Sequence, residues 1–258
     1  MYFDTHAHYD DEKFDEDRYD VIREVNDSGV DAIVNVGASV DTSIASIELA
    51  NRYDYVYAAV GVHPSEIMDL DDEYIDVLEK LIQENRSKVV AVGEIGLDYY
   101  YDDSPPSDMQ KRFFVEQIDL ARRMKLPVII HDRDAHQDTL DVIREENVGD
   151  VGGIVHCFSG SKEMATEVIK HGLYIAIGGV VTFKNAKKLV DVVRMIPEDR
   201  LLVETDLPYL APEPFRGSRN TSANLKYIVE KIAEIRGDTP EHIAKVTTEN
   251  AKRVYGLE

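Results

Sequence analysis

The chain has 258 residues, 43% of them hydrophobic and one of them cysteine, and carries a formal charge of −21. A chain of this length buries roughly three quarters of its unfolded surface and needs no staple to fold; with Cys157 alone an internal disulfide is excluded, and a reducing compartment fits. The charge argues against the broad basic surface of sequence-tolerant nucleic-acid binders, so a phosphate-bearing substrate must be held by a local site.

The first element is a short strand running into Phe3-Asp4-Thr5-His6-Ala7-His8. Strand side chains alternate between faces, so His6 and His8 point the same way, roughly 6–7 Å apart along the backbone, and both rings can reach one ion. A polar segment from Asp15 to Ser28 carries Tyr19, Ile22 and Val25 at helical spacing and ends at Gly29, a usual helix stop. The next strand is Ala32 to Gly37, followed by a helix from Asp41, its expected N-cap, to Arg52. Tyr55 to Val62 is the third strand, closing in Gly61-Val62-His63-Pro64, with a helix from about Asp72 to Asn85. Lys88 to Val92 is the fourth and runs into Gly93-Glu94-Ile95-Gly96-Leu97-Asp98; a Tyr99-Tyr100-Tyr101 loop broken by Pro105-Pro106 precedes a long helix from Ser107 to Lys125.

Pro127 to His131 is the fifth strand, leading through Asp132-Arg133 into a helix reaching about Glu146. The sixth, Gly153 to His156, continues into Cys157-Phe158-Ser159-Gly160 and a helix ending near Gly172. Leu173 to Ile177 is the seventh, and Leu201 to Glu204 the eighth, followed by Thr205-Asp206-Leu207-Pro208. Two C-terminal helices, about Ser222 to Ile235 and Pro240 to Val254, complete the chain. No linker, low-complexity stretch or repeat divides residues 1–258, so one α/β domain is expected. About eight strand–helix units in this length describe a closed parallel barrel, with its site at the C-terminal strand ends. A doubly wound open sheet is the alternative, although no Gly-x-Gly-x-x-Gly supports a dinucleotide fold. No apolar run approaches the roughly 18 residues of a membrane span, and Met1-Tyr2-Phe3-Asp4 lacks the basic start of a leader. The expectation is a soluble cytoplasmic protein, away from membranes, with no obligate protein partner apparent.

On this scaffold His6, His8, His63, Glu94, His131, His156 and Asp206 all fall at strand ends, and five of the eight histidines are among them. One histidine at a strand end is an ordinary hydrogen-bonded residue; seven ligand-type groups on one rim are a candidate metal site. Imidazoles with carboxylates suit Zn²⁺ or Mn²⁺ and admit Mg²⁺, while a lone cysteine excludes a thiolate cage. Four histidines and two carboxylates exceed the three protein ligands of a typical mononuclear zinc enzyme, which points to two divalent ions with Glu94 as the candidate bridge. Such a pair would activate water against a phosphodiester, with Asp206 as ligand and as the group that orients or deprotonates the water. Activity should then fall as pH drops through roughly 6.5, where free imidazole protonates.

Thr5-His6-Ala7-His8, Gly61-Val62-His63-Pro64, Gly93 to Asp98, His131-Asp132-Arg133, His156 to Gly160 and Glu204 to Pro208 resemble the successive signatures of the TatD family of metal-dependent deoxyribonucleases, within the amidohydrolase-type barrels. The likeness runs from Asp4 to the Asn250-to-Gly256 ending. It implies a TIM-like barrel acting on DNA, with His6, His8, Glu94 and Asp206 around one metal and Glu94, His131 and His156 around the other. His63 and Arg133 match positions near the substrate. Where many members read Arg-Asn-Glu-Pro, this chain has Arg219-Asn220-Thr221-Ser222, a change that could alter the loop and its substrate preference.

The remaining expectations are weaker in chemistry. Lys184, Arg216 and Arg219 lie where they could meet phosphates, and Tyr99 to Tyr101 could stack on bases or pack the loop. Asp98 could orient a ligand histidine or an arginine, Cys157 is expected to be small and buried, and the acidic runs Asp10–Asp17 and Asp69–Glu73 are expected to be solvated surface. The rival functions are a metal-dependent deacylase or amidohydrolase, since activated water attacks carbonyl carbon equally well, and a catalytically idle binding scaffold.

Overall fold

Apolar, β-branched runs alternate with amphipathic segments along the whole chain, and the architecture follows from that alternation. The computed structural model describes residues 1–258 except Asp69, Asp72 and Glu258. Those two positions of the predicted acidic run, and the helix start expected at Asp72, lie outside the described residues. The strands are β1 (Tyr2–Ala7), β2 (Val30–Val36), β3 (Val56–Val60), β4 (Val89–Asp98), β5 (Val128–Arg133), β6 (Gly153–Val155), β7 (Tyr174–Ile177) and β8 (Leu201–Val203). Each is parallel to the next, in the order β1 to β8. The helices are α1 (Arg18–Asp27), α2 (Val40–Arg52), α3 (Tyr74–Glu84), α4 (Ser107–Met124), α5 (His136–Glu145), α6 (Lys162–Lys170), α7 (Lys187–Met195), α8 (Leu225–Arg236) and α9 (Pro240–Tyr255).

The ends of the sheet meet where β1 runs up beside the segment after β8. Ala7 bridges Leu207, the His8 amide donates to the Leu207 carbonyl at 3.0 Å, and the Asp206 amide donates to the His6 carbonyl at 3.0 Å. The result is a nearly closed eight-stranded barrel wrapped by helices, as the sequence pattern predicts. No helix among the described residues is long and apolar enough to cross a membrane.

Alternation sorts the strand residues into two layers. Phe3, Val34, Val36, Ile129, Tyr174, Ala176 and Leu202 fill the interior, and Ala251 and Tyr255 of α9 join them. Tyr255 stacks on Phe3 and donates its hydroxyl to the Thr5 carbonyl at 2.8 Å. Their neighbours Ile33, Ile130, Ile175, Ile177 and Val203 face outward under the helices. A strand covered on both faces reads as a continuous apolar run, which is why these segments stand out in the sequence.

Three local expectations are corrected. The cap of α2 is Ser39, not Asp41: its hydroxyl accepts from the Thr42 amide while Thr42 answers on the Ser39 amide, a reciprocal box. β4 does not stop at Val92 but continues to Asp98, because its partner β5 runs on in register, Gly96 opposite His131 and Asp98 opposite Arg133. Glu94 therefore lies within a strand rather than at its end. The third correction is α7, which fills the stretch between β7 and β8, where the chain-order reading marks no helix.

Candidate metal centre

The site is assembled by the upper ends of six strands. β1 carries His6 and leads to His8; β3 leads to His63; β4 holds Glu94; β5 carries His131; His156 and Asp206 follow β6 and β8. All seven predicted side chains are brought together. They sit at the floor of a cleft of about 870 Å³ whose walls include Asp10, Asp11, Tyr101, Arg133 and Tyr209.

Four donors converge on one side. The Nε2 atoms of His6 and His8 are 3.0 Å apart; they stand 3.5 and 3.7 Å from Glu94 Oε2 and 3.8 and 3.6 Å from Asp206 Oδ1. Donors held about 2.1 Å from one ion in tetrahedral array are about 3.4 Å apart, a spacing close to that of His6, His8 and Glu94, which can hold a divalent cation with Asp206 Oδ1 within reach of both rings. On the other side, His131 Nδ1 and His156 Nε2 each lie 2.7 Å from Glu94 Oε1 and 3.3 Å from one another. The two oxygens of one carboxylate thus serve two groups of imidazoles.

Tautomers decide whether those nitrogens can ligate. His8 Nδ1 is 2.9 Å from the Val36 carbonyl, which can only accept, so the proton sits on Nδ1 and the Nε2 lone pair faces the cluster. His131 is the mirror case: Nε2 donates to Asp98 Oδ2 at 3.0 Å, leaving Nδ1 for the centre. Asp98 therefore occupies the orienting place expected of it. His63 is different. The Ser65 amide donates to its Nδ1 at 3.1 Å, so a neutral ring carries its proton on Nε2 and presents a donor rather than a lone pair. Burial, reinforced by nearby His131, pushes its pKa down to about 3 and keeps the ring neutral.

Glu204 is the residue sequence reasoning missed. Fully buried, it accepts the Cys157 amide on Oε1 at 2.5 Å, with that oxygen 3.5 Å from His156 Nδ1 and Oε2 unpartnered. It lies behind His156 as Asp98 lies behind His131. The available signal was a carboxylate closing the apolar run Leu201-Leu202-Val203, two residues before Asp206.

Cys157 and Asp206 have φ of 42° and 54°, a left-handed backbone that costs a non-glycine residue about 1–3 kcal/mol. Asp206 is held there by its amide bond to the His6 carbonyl, and Cys157 by Glu204. Cys157 is partly exposed on the cleft wall, not the buried small residue expected, because that turn carries it out of the barrel interior. Two other expectations also change. Arg219 is turned from the cleft into a two-pronged pair with Asp17 at 2.7 and 2.6 Å. The tyrosines divide: Tyr99 packs inward and donates to Asp138 at 2.9 Å, whereas Tyr100 and Tyr101 stay exposed, with the Arg133 guanidinium 3.7 Å from the Tyr100 ring centre.

Burial opposes charge on Glu94, but the neighbouring His156 charge and the hydrogen bonds from His131 and His156 hold its carboxyl well below the usual range. Burial likewise opposes protonation of His8, yet the Asp206 and Glu94 carboxylates outweigh it and raise its pKa to about 9. Without a cation, protons on imidazoles balance the carboxylates. A bound ion would displace the proton on His8, so metal uptake there should have its midpoint above 6.5, whereas burial and His156 keep His6 below it. Below about pH 9 the apparent affinity for Mn²⁺ or Zn²⁺ should fall tenfold per pH unit for each proton displaced. Competition titrations at pH 7, 8, 9 and 10 check this; an affinity flat from 7 to 9 would remove His8 from the ligand set.

The family model described as "TatD related DNase" matches residues 3–256. An uncharacterized metal-dependent hydrolase of Bacillus subtilis, YabD, is 48% identical over 257 residues, covering 100% of both chains. The "3'-5' ssDNA/RNA exonuclease TatD" of Salmonella typhimurium is 33% identical, with 98% of each chain covered. Among solved structures, YJJV, a TatD homologue from Escherichia coli K12, superposes with a TM-score of 0.93 at 31% identity, covering 100% of this chain and 98% of that one.

Proposed function

The chain belongs to the TatD family of metal-dependent hydrolases, and from that premise we propose that it cleaves phosphodiester bonds of DNA at a two-ion site. The observation that carries this reading is the division of Glu94, with Oε2 facing His6 and His8 and Oε1 facing His131 and His156. His6, His8, Glu94 and Asp206 would hold one ion, and Glu94, His131 and His156 the other. Divalent ions held there would supply Lewis acidity for water and for phosphate oxygens.

The remaining steps belong to the chain's own groups. Asp206 keeps its carboxylate ionised, because nearby His8 and His6 oppose the effect of burial, and its oxygen faces the cleft ready to take a proton from water. His63 offers Nε2–H to a phosphate oxygen, and Arg133 is the one Lys or Arg among the described lining residues of the cleft. The nuclease named among the relatives supports nucleic acid as the substrate class. Hydrolysis of an ester or amide is the second reading, favoured by the acidic wall Asp10, Asp11 and Glu12, which suits an uncharged substrate better than a polyanion.

The test strips the protein with chelator and assays single- and double-stranded DNA while Mg²⁺, Mn²⁺ or Zn²⁺ is returned. Cleavage should be absent after stripping and restored by metal. Two ions bound per chain without cleavage under any of them would transfer the assignment to acyl or amide hydrolysis.

A further inference from the structure

We propose that single-stranded nucleic acid leaving the cleft runs along a second, cationic groove between α7 and α8; this rests on the nuclease reading. The groove encloses about 500 Å³ and is lined by Lys184, Lys187, Arg194 and Lys231, with Asp191 its one carboxylate. On a chain of net charge −21 this balance is the inverse of the average surface. Arg194 is paired with Asp191 and Lys231 with Glu234, but Lys184 and Lys187 have no carboxylate partner among the described residues.

Position makes the groove a continuation of the cleft. Lys184 and Lys187 follow β7 at the end of the barrel where the metal-ligand candidates sit, and α7 carries the groove down the outer wall. Lys188 lies close enough to His136 for its charge to oppose protonation there, three residues beyond the Arg133 strand end. Arg133 and Lys188 thus stand on the groove side of the cleft, beside Asp132 and Asp134, whereas the β1 side presents Asp10, Asp11 and Glu12 with no cation among its described lining residues. A polyanion entering the site is repelled from one wall and drawn along the other.

The chemistry is that of a single-strand track. Phe183 lines the groove, with the Arg216 guanidinium 4.3 Å from its ring centre, so an aromatic face stands among the cations. Charges that follow a backbone, interleaved with a surface on which a base can stack, bind single strands with little sequence preference. The nine residues of α7 span about 13 Å, room for two or three phosphates of an extended strand.

The experiment compares the metal-loaded wild type with Lys184→Glu/Lys187→Glu on a thymidine dinucleotide and a 15-nucleotide single strand. Binding is read by anisotropy on a phosphorothioate 15-mer, which resists cleavage. The double variant should bind the 15-mer at least tenfold more weakly at low salt, with the slope of log affinity against log salt shallower by about 1.4 for two lost phosphate contacts. Dinucleotide hydrolysis should not change. Lys184→Gln/Lys187→Gln, without added negative charge, should show the same change in slope. Lys245→Glu/Lys252→Glu on α9 alters net charge equally and should leave 15-mer binding as it was. Wild-type affinity and slope in both groove variants would overturn the track and leave the nuclease reading intact. A wild type that binds the 15-mer through these lysines yet cleaves nothing would do the reverse.

Discussion

Replacing Glu94 by Gln is expected to lower kcat/KM on DNA by about 10³-fold or more, equivalent to about 4 kcal/mol of transition-state stabilisation. The reason is geometric. The side chain is 6% exposed and each oxygen has its own set of imidazoles, at 2.7 Å on one side and 3.5–3.7 Å on the other. Gln is isosteric but brings one carbonyl oxygen and one NH₂, so an N–H is turned toward one set and an uncharged acceptor toward the other. Either orientation weakens both sides. His8→Gln removes a donor from one set and should cost less. Metal analysis of the purified variants checks the assignment independently of rate: Glu94→Gln should lose both ions and His8→Gln one. Full metal content and wild-type rate in Glu94→Gln would remove it as the bridge.

The parts of this site legible in the sequence are those in which residue type and strand position coincide. His6 and His8 share a face by strict alternation, and His63, His131 and His156 each close an apolar run. Covered strands conceal which residues point inward, so the run Tyr174-Ile175-Ala176-Ile177 reads as one apolar block although alternate members face the interior and the helices. Glu204 was missed for a related reason. As a buried carboxylate behind His156 it has meaning only once β6 and β8 are placed side by side around β7, and no local spacing encodes that. The pairing of Arg219 is not legible in the sequence because its partner Asp17 lies 202 positions away, across the β1–β8 closure. The cationic groove joins Lys184 and Lys187 to Lys231 through helix packing, so along the chain those lysines are ordinary surface charges.

Asp206→Asn should be as damaging as the change at Glu94 but by a separable route. Asp206 Oδ1 stands 3.6–3.8 Å from His6 and His8, while its 15% exposed side chain faces the cleft, where a water and a phosphate would meet. Its carboxylate is held below the usual range: burial alone would raise it, but His8 and the charges of His6 and His156 more than offset this. An amide preserves the shape and one weak oxygen donor yet cannot accept a proton, and a positioned proton acceptor contributes about 10²–10⁴-fold. The expected result is a kcat lower by that factor with KM little altered, because His63 and Arg133 still receive the substrate. The ion held by Glu94, His131 and His156 should remain, since those three donors converge without Asp206, whose oxygen groups with His6 and His156 instead. The asymmetry should separate the carboxylates: loss of Glu94 is expected to empty both sides, and loss of Asp206 to leave an occupied but nearly idle site. Retention of wild-type kcat in Asp206→Asn would exclude it as the proton acceptor, and loss of both ions would show that the two halves of the cluster form as a unit.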